Sequence, residues 1–330
     1  MKSAAVIVSL LLTLACGRHK SDPLIRLAAA QGSLGHMPVA LAQALGFFEQ
    51  AGLPVSMELL PGTKTLEALL AGSADAVSGV YEQTLQLAAD GQRVQSFVLL
   101  TARDSRGLVV APNRPAIRTL SDLRGRNIGV AGLGSATQSF AARLLLRHGV
   151  RPEDLSFVGI GMGRTGIAAI ERGMVDAAAL ASGDFIQIRT KYPQLLILAD
   201  ATTPEGSKAI YGTEVYPGMA FLAKAAWLES HAAEAKLLAR AVQRTLRWLD
   251  EHSPAEIRAK LPPEYRTEDE TLDLEALRVM KTIYSRDGIM PAEGAVIVRD
   301  ALATTQEKIR GASIDLSQTY TNEFVREKTP

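Results

Sequence analysis

Apolar residues recur along this chain in two alternating rhythms. Short apolar runs, Leu27–Ala30, Val55–Leu60 and Ala76–Val80, predict strands. Between them lie stretches with apolar positions every three or four residues. Pro38–Ala51 carries Val39, Leu41, Ala42, Leu45 and Phe48 on one face, and Thr63–Ala71 follows the same rule. Gly52 and Gly72 stand where these helices stop, because glycine enters the left-handed conformation without steric cost. A β-α-β-α-β order of this kind predicts a parallel sheet.

The same order returns further along the chain. Ile128–Ala131, Leu155–Ile160 and Ala177–Ala181 predict strands, while Ser135–His148 and Thr165–Arg172 predict helices stopped by Gly149 and Gly173. Gly52 and Gly149 are 97 residues apart, and Gly72–Gly173 and Asp75–Asp176 are both 101 apart. The expected fold class is therefore α/β, with two Rossmann-like lobes joined by a two-strand hinge and a helical C-terminal tail. Two crossings, at 97–110 and 195–221, make lobe 1 discontinuous: residues 25–108 and 214–330, with lobe 2 at 109–213. The tail reads as helices at Ala232–Glu251, Asp273–Ser285 and Pro291–Arg310.

The first residues follow a different rule. Lys2 precedes an apolar run, Ala4–Ala15, that is shorter than the ~20 residues a bilayer span needs. It has the length of a signal-peptide core. Cys16, the single cysteine, follows at once in Leu12-Thr13-Leu14-Ala15-Cys16-Gly17, which resembles the lipobox of bacterial lipoproteins. The expectation is a signal peptide at 1–15, lipidation of Cys16 and a polar tether at 16–24, with plain secretion as the alternative. One cysteine allows no internal disulfide.

Charge narrows the partners. Lys and Arg total 36 and Asp and Glu 35; without Lys2 the balance is 35 against 35. A neutral chain has no electrostatic footprint for nucleic acid, so preference for a charged ligand must arise from local groups.

In open parallel sheets ligands bind beyond the carboxyl ends of the strands. The residues at those positions are Ser33, Gly35, His36, Gly62, Thr63, Tyr81, Glu82, Thr101 and Arg103 in lobe 1. In lobe 2 they are Gly134, Ser135, Thr137, Met162, Arg164, Ser182 and Asp184. The 132–137 loop opens a helix, so free N–H groups there suit an anion, although Ser135 also reads as an ordinary N-cap. Arg164 suits a carboxylate or sulfonate if it is not simply solvated. Tyr81 reads as a stacking wall or as lobe packing, and Glu82 as a selector of cationic ligands or as a surface residue. The ligand is expected between the Ser33–His36 loop and the Gly134–Thr137 loop. The remaining histidines and both tryptophans read as solvated or packing residues.

Gly161-Met162-Gly163-Arg164-Thr165-Gly166 fits a dinucleotide pattern but follows the second strand of its lobe and opens a short helix. No Gly-x-Ser-x-Gly elbow supports a hydrolase, and no His/Cys spacing supports a metal site. No cofactor, metal or catalytic residue is expected.

The phrases Gly46-Phe47-Phe48-Glu49-Gln50-Ala51-Gly52-Leu53 and Leu120-Ser121-Asp122-Leu123-Arg124-Gly125-Arg126-Asn127-Ile128-Gly129-Val130 carry a resemblance. So do Gly35-His36, Gly134-Ser135 and the two Gly-x-x-Asp-Ala units. Over roughly residues 25–260 the chain resembles type II periplasmic binding proteins. The similarity is greatest to the binding components of ABC importers for nitrate, sulfonates, taurine and thiamine precursors. The resemblance implies a hinged cleft, a small polar or anionic organic ligand, and a permease and ATPase as partners. The chain would then be a monomer held outside the cytoplasm by its lipid. The alternatives are an enzyme on the same fold, acting on a small carboxylate or thiamine precursor, and a solute sensor without transport.

Overall fold

The computed structural model describes residues 24–326, apart from Asn113. The expected signal segment, Cys16 and most of the tether lie outside the described residues. The first half runs β1 (Ile25–Ala30), α1 (Met37–Ala44), α2 (Phe47–Gln50), β2 (Val55–Leu60), α3 (Gly62–Ala71), β3 (Ala76–Val80), α4 (Tyr81–Ala89), β4 (Val94–Leu99) and β5 (Arg106–Val110). The second repeat runs β6 (Asn127–Val130), α5 (Ala136–Arg147), β7 (Ser156–Gly159), α6 (Arg164–Glu171), β8 (Ala177–Ala181), α7 (Ser182–Lys191), β9 (Ile197–Asp200) and α8 (Pro204–Tyr211). After β10 (Met219–Lys224) come α9 (Ala225–Ser230), α10 (Ala232–Glu251), α11 (Pro254–Lys260), α12 (Glu270–Lys281), α13 (Ala292–Ala303) and α14 (Glu307–Gly311).

Two five-stranded sheets result, ordered β2-β1-β3-β10-β4 and β7-β6-β8-β5-β9. In each, three parallel strands are followed by one antiparallel strand that comes from the far side of a crossing. The chain passes to the second sheet between Leu99 and Arg106 and returns between Asp200 and Met219. Each sheet is covered by apolar clusters on both faces, as a mostly parallel sheet requires.

The repeat has a physical basis in two matching clamps. Asp75 Oδ2 accepts the Arg26 N–H at 2.8 Å, and Asp176 Oδ2 accepts the Asn127 N–H at 3.0 Å. Each aspartate thus holds the opening of the middle strand of its parallel trio. An arginine completes each clamp by reaching the carbonyl of the helix-stopping glycine: Arg26 Nη1 to Gly72 O at 2.8 Å, and Arg114 Nη2 to Gly173 O at 2.9 Å. Both glycines are left-handed, with φ of 75° and 69°.

The expected helix over Pro38–Ala51 is two helices, because Gly46 turns left-handed at φ 70°. The Pro291–Arg310 stretch likewise divides, into α13 and α14. The tail is not a separate layer. Its Tyr265 hydroxyl donates to Ala30 O at 2.8 Å and Tyr284 to Leu34 O at 2.7 Å, so it closes over the end of β1.

Candidate functional site

Where β1, β7 and β8 end, the two layers face each other across a cavity of about 650 Å³. Gly32 and Leu34, just beyond β1, form one wall together with residues of the tail from Glu264 to Ala276. Gly163 and Arg164, beyond β7, and Gly183, Asp184, Gln187 and Lys191, at and along α7, form the other. This is the carboxyl-end position that open α/β sheets offer to ligands.

Several polar groups of the walls are engaged with one another. Asp273 is held by Arg258 Nε at 2.9 Å and by the Thr267 hydroxyl at 2.8 Å. Lys191 Nζ donates to Glu171 Oε1 at 2.7 Å. Arg164 stretches over the mouth to Glu268 at 3.6 Å, with both side chains at least 85% exposed. Asp184 is engaged through one oxygen. Its Oδ2 accepts the Gly163 N–H at 2.8 Å, and burial pushes its carboxyl above the usual range.

The sequence-derived candidates separate into groups. The Ser33 loop and the Arg164 loop do reach the cavity, through Gly32, Leu34, Gly163 and Arg164. Ser182 opens α7 beside the lining residues Gly183 and Asp184; its side chain and that of Thr63 lie outside the described residues. Gly62 is exposed at the start of α3 and is not among the residues lining that cavity. Gly35 and His36 are buried behind the loop, and His36 is held near a pKa of about 4 by burial.

The 132–137 loop is not among the residues lining this cavity, and several hydrogen bonds in and around it are internal. Gly134 N–H donates to Gln138 Oε1 at 2.6 Å, Gln138 N–H to Ser135 Oγ at 3.4 Å, and Ala131 N–H to the Thr137 hydroxyl at 2.9 Å. The loop's own side chains thus take some of the groups that an anion would use there. The glycine pattern at 161–166 has a packing cause: a Cβ on Gly166 would lie 2.9 Å from Gly161 O.

Tyr81 is not a cleft wall. It is fully buried in the first layer's core, and its hydroxyl meets that of Thr319 at 2.7 Å. Thr101 is a strut of the crossing, fully buried, accepting the Met219 N–H at 2.8 Å. Arg103 ties the same crossing to Thr282.

Glu82 is neither a surface residue nor a cavity residue. It sits in a buried network between the layers, accepting Arg106 Nη2 at 2.8 Å, the Tyr216 hydroxyl at 2.8 Å and Arg143 Nη2 at 3.4 Å. Burial alone would raise its pKa, but the two guanidiniums overcome this and hold it down at about 2. Arg106 also grips Asp104 at 2.7 Å, Asp104 accepts the Tyr211 hydroxyl, and Tyr211 stacks on Tyr216 at 3.8 Å. Sequence reasoning missed this network and the tail's share of the cavity. The one signal for the network was the charged run Arg103–Arg106 interrupting an apolar stretch.

The sequence profile of the NMT1/THI5-like family matches residues 33–256. A Bacillus subtilis protein, YtlA, described as a candidate binding protein, is 23% identical over 260 residues, covering 77% of this chain and 75% of its own. A yeast 4-amino-5-hydroxymethyl-2-methylpyrimidine phosphate synthase, THI11, is 27% identical over 128 residues, 38% of this chain and 37% of its own. A solved protein of Bordetella bronchiseptica superposes with a TM-score of 0.83 at 30% identity, covering 92% of this chain and 95% of its own. The alkanesulfonate-binding protein SsuA of Xanthomonas axonopodis, bound to MOPS, superposes at 0.68 and 17% identity, over 90% of this chain and 98% of its own. The fold is that of periplasmic binding proteins, and the chain belongs to the NMT1/THI5-like family.

Proposed function

We propose that this protein is the solute-binding component of an ABC importer, working outside the cytoplasm and tethered through a lipid on Cys16. The observation that carries this reading is the cavity of about 650 Å³ whose opposite walls come from different sheets, at the ends of β1, β7 and β8. A small polar organic molecule held there would touch both layers at once. Closure about the crossings at 99–106 and 200–219 would then be driven by contacts that only the closed form makes. The closed form would be what a permease with its ATPase recognises. The match to SsuA, a binding protein of this fold, supports the reading.

The test is native mass spectrometry of the freshly purified full-length chain, paired with small-angle scattering. The expected result is a small co-purified solute, and a smaller radius of gyration with solute than after its removal. A bare protein mass, with no compaction on adding a metabolite extract, would sink the reading. Intact mass should also show a lipid on Cys16. A second reading, an enzyme of pyrimidine phosphate synthesis, has the partial similarity to the yeast synthase in its favour. Turnover of the bound solute, rather than its release unchanged, would select it.

A further inference from the structure

Resting on the solute-binding reading, we infer that the cavity selects a ligand with a cationic, donor-bearing head, an ammonium or amidinium group, and that Asp184 is the group that receives it. Two of the backbone donors that the sequence offers to an anion are already taken. The N-terminus of α6 would be such a device, but its Gly163 N–H is taken by Asp184 Oδ2 at 2.8 Å. At α5 the Gly134 N–H is taken by Gln138, 2.6 Å away. Of the cations lining the cavity, Lys191 pairs with Glu171 at 2.7 Å, Arg164, 85% exposed, stands 3.6 Å from Glu268, and Arg266 is exposed.

Asp184 is in the opposite situation. It lines the cavity, it is only partly exposed, and among the described residues its one hydrogen bond is from Gly163. Its second oxygen, Oδ1, keeps its acceptor capacity. No cation faces it at ion-pair distance among the described residues, and burial therefore pushes its carboxyl up. A ligand ammonium or amidinium would supply the missing positive partner to this half-buried carboxylate through a charge-assisted hydrogen bond. Gly32, Gly163 and Gly183 contribute no side chain to the walls around it.

The test uses the full-length chain, stripped of any bound solute by reversible unfolding, and four probes. Agmatine and benzamidinium carry the cationic head; propanesulfonate and benzoate carry an anionic one. Affinities are measured by calorimetry, with melting shifts alongside. The wild type should bind a cationic probe and neither anion. Asp184→Asn keeps an acceptor for Gly163 and should still fold, yet weaken the cationic probe roughly 10- to 100-fold, the worth of one hydrogen bond to a charged group. Asp184→Glu should retain the cation preference. Anionic probes binding equally to wild type and Asp184→Asn, with no cation bound, would overturn this inference while leaving a solute-binding protein. Cation binding unchanged in Asp184→Asn would overturn the role of Asp184. If no probe binds and the fresh protein carries no solute, this inference and the reading beneath it both fall.

Discussion

Glu82 of the first layer and Arg106 of the second meet at 2.8 Å, with their side chains only 4% and 5% exposed. They stand where the chain first crosses between layers, and a buried charge there cannot be left alone. We predict that Glu82→Gln destabilises the protein by about 3–5 kcal/mol, because buried Arg143 loses its carboxylate partner and Arg106 keeps only Asp104. Urea unfolding of both proteins measures it. A loss of less than ~1 kcal/mol would mean that the pair is solvated in solution.

Acid should weaken the fold through the same residue. Glu82 sits near a pKa of about 2 folded, against 4.5 when free. Its contribution is complete above pH 4.5 and is lost as pH falls toward 2, because only the unfolded chain takes the proton in that window. Glu82→Gln should therefore flatten the acid limb of melting temperature against pH. An unchanged limb would exclude Glu82 as its source.

His36 acts in a higher window. Burial lowers its pKa from 6.5 to about 4, although its contact with the Ser78 backbone opposes this. The folded ring stays neutral while the unfolded ring charges, so stability is full above pH 6.5 and falls by ~1.4 kcal/mol per pH unit down to about 4. His36→Gln should remove that slope between pH 6.5 and 4, as read by chemical denaturation at each pH. A slope that persists would disprove the assignment.

Tyr81→Phe separates packing from ligand contact. The hydroxyl bond to Thr319, 2.7 Å long, is lost, and stability should fall by ~1 kcal/mol. Solute affinity should not change, because Tyr81 is fully buried away from the cavity. An affinity loss with stability intact would return Tyr81 to the cleft.

Gly107 controls one wall of the cavity from behind. A Cβ there would lie 2.2 Å from the Phe185 ring, and Phe185 is carried by α7 next to Asp184. Gly107→Ala should cost ~1–3 kcal/mol by displacing α7. It should also weaken solute binding, although Gly107 lines no part of the cavity. Stability equal to wild type would show that α7 shifts freely.

Sequence by itself determined the repeat and most of its elements. A helix stop at Gly72 or Gly173, and an aspartate three residues later, are short-range events, so the text of the chain carries them. Val55–Leu60, Ala76–Val80, Ala177–Ala181 and Ala232–Glu251 have the bounds that periodicity predicts. The carboxyl-end rule also brought the Ser33 and Arg164 loops to the cavity. What periodicity cannot convey is which distant surface a side chain meets. Tyr81 and Glu82 are neighbours at one strand end, yet Tyr81 turns to Thr319 and Glu82 to Arg106. The tail at 264–276 reads only as polar turns and a helix, and becomes a cavity wall because Tyr265 and Tyr284 bond the main chain at Ala30 and Leu34. The tertiary structure alone decided these matters. Burial creates the demand for a partner, and that partner is 230 or more residues away for three of the four: Tyr81, Tyr265 and Tyr284.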